Sequence, residues 1–113
     1  MKVQQSAVLD SRQQQEMAHL GQLLARLRHA RSVRQADAAL RAGLSRNTAY
    51  RLEKGDPGLA IGQILRYLEA IAPGASLADL LNESDPALAT LQARESTKRV
   101  RDLSATELKS LDF

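Results

Sequence analysis

Gln35-Ala36-Asp37-Ala38-Ala39-Leu40-Arg41-Ala42-Gly43-Leu44-Ser45-Arg46-Asn47-Thr48-Ala49-Tyr50-Arg51-Leu52-Glu53-Lys54-Gly55 is the stretch on which the fold turns. Its first part predicts a short helix from Arg34 to about Arg41, with Ala38, Ala39 and Ala42 small enough for another helix to approach closely. Gly43 tolerates the left-handed backbone that ends a helix, and Ser45, two residues on, offers a hydroxyl to the free amides of the next one. That next helix is expected over Arg46 to Lys54. It stops at Gly55-Asp56-Pro57-Gly58, because proline lacks an amide donor and its ring blocks continuation. The pattern describes two short helices around a tight corner, where Ala39 must be small and Gly43 must reverse the chain in few residues.

Upstream, Ser11 with Gln14 as reciprocal partner is the expected start of a first helix running from Arg12 to about Arg31, with Met17, Leu20, Leu23, Leu24 and Leu27 as its apolar stripe. Downstream, a fourth helix is expected from Leu59 to about Ala72, its core face carrying Ile61, Ile64, Leu65, Leu68 and Ile71 and its end set by Pro73-Gly74. Ser76 and Asp79 mark the start of a short fifth helix containing Leu77, Leu80 and Leu81. Asn82 to Pro86 favours turns and reads as a boundary. Beyond it, Pro86 to about Glu95 has only Leu88 and Leu91 on one face and is expected to be marginally helical. Ser104 and Glu107, with Leu103 and Leu108 as a hydrophobic staple, predict a separate terminal helix ending in Leu111 and Phe113. The expectation is an all-α chain: an N-terminal extension at 1–18 continuing into the first helix, a compact five-helix domain at 19–82, and a partly helical tail at 83–113.

Composition narrows the class. The 113 residues, 43% hydrophobic, suffice for one core and not for two ordinary domains. Leucine and alanine dominate the apolar set, and Phe113, Tyr50 and Tyr67 are the only aromatics, which favours helices over sheets. There is no cysteine, and His19 and His29 would stand about 15 Å apart on one helix, so neither a disulfide framework nor a metal site is expected. No thiol, phosphate-cradling glycine loop or carboxylate pair in a plausible cleft is written in the chain, so neither an enzyme nor a cofactor is expected. No apolar run approaches a membrane span and the first ten residues lack a signal-peptide core, which makes the cytoplasm the expected location. The formal charge is +3, but its distribution is uneven: residues 19–74 hold nine basic against four acidic groups, and residues 75–113 hold five against seven. A basic module with a mildly acidic tail suits a polyanionic partner.

The quoted segment resembles the helix-turn-helix of the phage repressor and Cro-like (XRE-type) family of transcriptional regulators. Gln35 at the start of the second helix, Ala39 at the helix contact, Gly43 in the turn, Ser45 as cap and Leu52-Glu53-Lys54-Gly55 at the close carry the likeness. It covers about Leu20 to Leu81 and leaves both tails out. The resemblance implies a double-stranded DNA-binding module whose third helix presents Arg46, Asn47, Tyr50 and Arg51 to base edges in the major groove, since arginine pairs twofold with guanine and asparagine with adenine. For Tyr50 the alternative is packing against a neighbouring loop. Gln35, at a helix start that attracts anions, is the implied phosphate contact, with Arg34, Thr48, Lys54 and Gln63 as further ones. An ion pair between Arg28 and Glu53 is implied as a brace.

Two positions depart from the family pattern. Arg34 replaces a capping Thr or Ser and adds a cation, and Ala49 replaces a larger aliphatic, thinning the core unless Tyr50 or Leu44 compensates. The resemblance implies a regulator, in the repressor sense, acting as a homodimer on a two-fold operator. The alternative is the antitoxin of a toxin-antitoxin pair, binding a toxin protein through its tail. Recognition of RNA would call for exposed stacking aromatics that this chain almost lacks.

Overall fold

A computed structural model describes residues 3–111, with side chains through Asp102. Among the described residues the chain is all helical: α1 (Gln5–Val8), α2 (Ser11–Ala30), α3 (Gln35–Ala42), α4 (Arg46–Glu53), α5 (Ile61–Ile71), α6 (Leu77–Leu81) and α7 (Pro86–Leu111). The first long helix starts one residue earlier than expected and is capped by Asp10, not Ser11. The Asp10 carboxylate accepts from the Gln13 amide at 2.8 Å and Gln13 Oε1 accepts from the Asp10 amide at 3.1 Å. An anion at a helix start gains from the positive end of the dipole as well as from the bond, so the carboxylate prevails over the serine beside it.

The core gathers Leu23, Leu24 and Leu27 from α2, Ala38, Ala39 and Ala42 from α3, Ala49 and Leu52 from α4, and Ile64, Tyr67, Leu68 and Ile71 from α5, with Leu80 of α6 closing one end. Ala49 is fully buried, so its small side chain is the size this packing takes. Leu44 packs against the core as compensation, whereas Tyr50 stands 53% exposed and does not. Along α5 the buried spacing is 64, 67, 68, 71, a single helical stripe that includes Tyr67. Ile61 and Leu65, expected in the core, are instead 69% and 45% exposed, because Leu65 lies a quarter-turn off that stripe and Ile61 sits in the first turn beyond its end. Leu77 and Leu81 also face outward.

The tail differs most from expectation. One continuous helix, α7, replaces a marginal segment followed by a separate terminal one. Pro86 occupies its first position, where a missing amide costs nothing, and Asp85 Oδ1 accepts from the Ala87 amide at 2.9 Å. Its opening turns run along α2: Leu88 packs against the core, and Arg31–Asp85 and Arg26–Glu95 form ion pairs at 2.6 Å each. The face carrying Leu88 and Leu91 therefore has the partner that an isolated reading of the tail lacked. Ser104 lies inside this helix and starts nothing; the Leu103–Leu108 staple and Phe113 fall outside the described side chains.

Candidate nucleic-acid interface

The corner that presents α4 is built from local chemistry. Gly43 adopts φ 68°, the left-handed conformation that closes α3, and Ser45 Oγ accepts from the Thr48 amide at 3.0 Å to open α4. The Ser45 hydroxyl also donates to Thr48 Oγ1 at 2.9 Å, so Thr48 serves the turn and is half-buried. Arg66 on α5 ties the corner from behind, donating to the carbonyls of Ala42 at 3.0 Å and Gly43 at 2.9 Å. Ala49 and Leu52 take the inner side of α4, which leaves Arg46, Asn47 and Tyr50 on the outer side, all exposed.

Arg51 is more constrained. Its Nε donates to Asp56 Oδ2 at 2.7 Å, while Asp56 Oδ1 accepts from the Gly58 amide at 2.8 Å. The Gly58 bond, then Arg51, hold the Asp56 carboxyl below its ordinary range, so Arg51 stands beside a permanent counter-charge. Lys54 places its ammonium 5.4 Å from the centre of the Tyr50 ring, a cation–π contact on the same exposed edge.

Behind this surface lies a polar hub. Arg28 makes a two-pronged pair with Glu53, Nε to Oε2 at 2.7 Å and Nη2 to Oε1 at 3.0 Å, and its Nη1 donates to the Val33 carbonyl at 3.0 Å. The Tyr67 hydroxyl donates to the same carboxylate. Burial pushes the Glu53 carboxyl up, but the bonds from Arg28 and Tyr67, the Arg28 charge and a bond from the Gln35 side chain outweigh it and leave the group below the usual carboxylate range. Burial pushes the Tyr67 phenol well above its ordinary value, and the adjacent Glu53 adds to this, so the hydroxyl remains a donor. The end of α2, the start of α3, the end of α4 and the middle of α5 thereby meet around one charge.

Gln35 is half-buried and its side chain helps to hold the Glu53 carboxyl low. What α3 offers outward is its first turn, where Arg34 supplies no side-chain cap. Helix amides without such a cap attract anions, and Arg34 itself is exposed beside them. Gln63 spends its Oε1 on the Ala60 amide at 3.1 Å, opening α5. Of the nine basic residues between 19 and 74, Arg26, Arg28, Arg31 and Arg51 form ion pairs, whereas Arg34, Arg41, Arg46, Lys54 and Arg66 form none among the described residues.

Four elements of this site escaped the sequence reading: Asp56 as the partner of Arg51, Tyr67 as a third member of the ion pair, Arg66 as the tie on the corner, and Gly21. A Cβ on Gly21 would stand 2.5 Å from the Glu53 carbonyl oxygen, and one on Gly55, at φ 77°, would stand 2.4 Å from the Met17 carbonyl oxygen. These two glycines let α2 and the end of α4 meet backbone to backbone, which sets how far α4 projects. A lone glycine inside a helix as strong as α2 was the available signal, because it costs about 1 kcal/mol unless packing requires it.

Among the described residues, no cluster of three metal-ligating side chains occurs and no helix is long and apolar enough to cross a membrane. Residues 19–81, more than half of the chain, match the family model of a helix-turn-helix domain. No curated protein and no solved structure matches the chain.

Proposed function

The chain belongs to the helix-turn-helix domain family, and from that premise we propose that it is a sequence-specific double-stranded DNA-binding regulator of the repressor and Cro-like type, acting in the cytoplasm as a homodimer on a two-fold operator. The observation that carries this is the outer side of α4, where Arg46, Asn47 and Tyr50 stand exposed on a helix whose end is braced by a partly buried ion pair. Arg46 and Asn47 read base edges, Tyr50 adds apolar contact, and Arg51 reaches the groove from its seat on Asp56. The start of α3 at Arg34 and Gln35, with Lys54, Thr48 and the amide nitrogen of Gln63, holds the flanking phosphates. A single domain of this size buries too little DNA to discriminate well, which is the reason for two copies; α6 and α7 supply the dimer surface. The protein represses by occupying its site and needs neither catalysis nor a cofactor.

Selection of bound duplexes from a random pool tests the proposal. The expected product is a palindromic consensus with half-sites about 10 base pairs apart, centre to centre. A pool that enriches nothing overturns it.

One observation favours a second reading, the antitoxin. Beyond Glu95, residues 96–102 of α7 are exposed, Val100 at 62%, which suits capture of a toxin protein. Copurification of an untagged neighbouring gene product with the full chain separates this reading from a self-sufficient repressor.

A further inference from the structure

The matched domain begins at residue 19, so the segment ahead of it lies outside the family reading. That segment has a defined seat. Gln14 on α2 donates its side-chain amide to the carbonyls of Ser6 at 3.0 Å and Leu9 at 3.2 Å, and the Asp10 cap turns the chain back. Residues 3–6 thereby come to rest beside the C-terminal end of α4. Ser6 helps line a cleft of about 380 Å³ whose other residues include Tyr50, Arg51 and Lys54. Val3, Gln4 and Gln5 share an adjoining cleft with Arg51, Asp56 and Gly58.

The segment buries no side chain of α1, and Gln4, Gln5 and Ser6 are exposed. A stretch tied down by two side-chain bonds yet absent from the core is positioned for what it presents outward. It presents neutral hydrogen-bonding groups at the edge where Lys54 carries a charge with no ion-pair partner among the described residues.

The geometry points to residues 4–6 as a second DNA-contacting strip: Gln4, Gln5 and Ser6 donate to a backbone phosphodiester just outside the base pairs faced by α4, with Lys54 lining the cleft that Ser6 shares and Arg51 the adjoining one that Gln4 and Gln5 share. This rests on the DNA-binding reading above. Because the three side chains are neutral, they add hydrogen bonds without releasing counterions, which gives them a signature distinct from that of a lysine.

The test uses the full chain and its selected duplex. The double variant Gln4→Ala with Gln5→Ala, and separately Gln14→Ala, which frees the strip, are expected to bind cognate and random duplex alike about five- to tenfold more weakly. The slope of log K against log salt stays that of the unaltered protein, whereas Lys54→Ala makes it shallower by about 1.8, about 0.9 for each copy of the proposed dimer. Phosphate-ethylation interference loses its outermost position in the double glutamine variant. Unchanged affinity and an unchanged ethylation pattern in both variants overturn the strip; so does tighter binding, which would make the segment a shield over α4. If the unaltered protein selects no duplex, the DNA-binding reading fails and takes the strip with it, a failure told apart because it appears before any variant is made.

Discussion

Glu53 is the residue on which the most depends, because one carboxylate ends α4, receives Arg28 from α2 and receives Tyr67 from α5. A pair this far removed from water, with side chains 11% and 8% exposed, adds little over an apolar substitute of equal shape, but removing one partner strands the other charge. Glu53→Gln is therefore expected to cost about 3–5 kcal/mol, measured by urea unfolding at neutral pH. Tyr67→Phe keeps the ring in the core and deletes one donor, an expected loss of about 1–3 kcal/mol. The two also differ in their acid behaviour. The folded-state pKa of Glu53 lies below its unfolded value near 4.5, so its contribution is complete above that value and is lost as pH falls through the folded one. Without the Tyr67 hydroxyl that folded value rises toward the unfolded one, so the loss still begins near the unfolded value but is smaller and is complete at a higher pH. Following the urea midpoint from pH 7 downward in both proteins checks this: Asp56, Asp79 and Glu95 are also held low, but they are common to both and cancel in the difference. Coincident acid limbs would remove Tyr67 from the hub.

At the scale of elements, the close approach of α2 to the end of α4 sets up a contest of two effects. Gly21→Ala improves helix propensity by about 1 kcal/mol. The new Cβ would stand 2.5 Å from the Glu53 carbonyl oxygen and 2.7 Å from the Gly55 amide nitrogen, both backbone atoms that cannot swing aside, and overpacking of this kind costs about 1–3 kcal/mol. The net expectation is a lower melting temperature together with weaker DNA binding, since α4 must shift outward to make room; a stabilised variant would show that the helices part freely. The same contrast explains what the sequence showed and what it hid. Helices α3 and α4 and their corner were legible because Gly43, Ser45 and the alanine face act within a few residues of one another. The Arg28–Glu53 pair was legible only through resemblance. Tyr67, Arg66 and Asp56 were not, because each acts through a partner chosen by the packing: the spacing 61, 64, 65, 68, 71 is as good a helical stripe as 64, 67, 68, 71, so sequence alone does not separate Leu65, which is exposed, from Tyr67, which fills the core. The tail was misread for the same reason, its apolar positions being too few without α2 opposite them.

For the whole molecule, the formal charge of +3 is a poor guide to how strongly DNA is held, and the count of nine cations in the central module is a poor guide in the opposite direction. Four of those nine are matched by carboxylates that the fold places beside them, two of which, Asp85 and Glu95, come from the tail. The acidic tail is thus partly an internal counter-ion for α2, and within the central module the charge left for phosphates resides in Arg34, Arg41, Arg46, Lys54 and Arg66. This bounds the salt dependence. Each phosphate neutralised contributes about 0.9 to the slope of log K against log salt, so the proposed dimer, using only the unmatched cations of its two central modules, has a slope no steeper than about −9. All nine from each copy would bring it near −16. Titrating binding to the selected duplex between 50 and 200 mM salt, roughly the range in which such slopes are resolved, reads this directly. A slope well beyond −9 would mean that further cations join, either Arg51 and the exposed basic residues of α7 or Arg26 and Arg31 leaving Glu95 and Asp85, and only the last requires α7 to part from α2 on binding. Charge-neutral replacement of both acids, Asp85→Asn with Glu95→Gln, tests the same point from the other side. It frees two arginines per copy and is expected to steepen the slope only if those arginines lie within reach of the backbone.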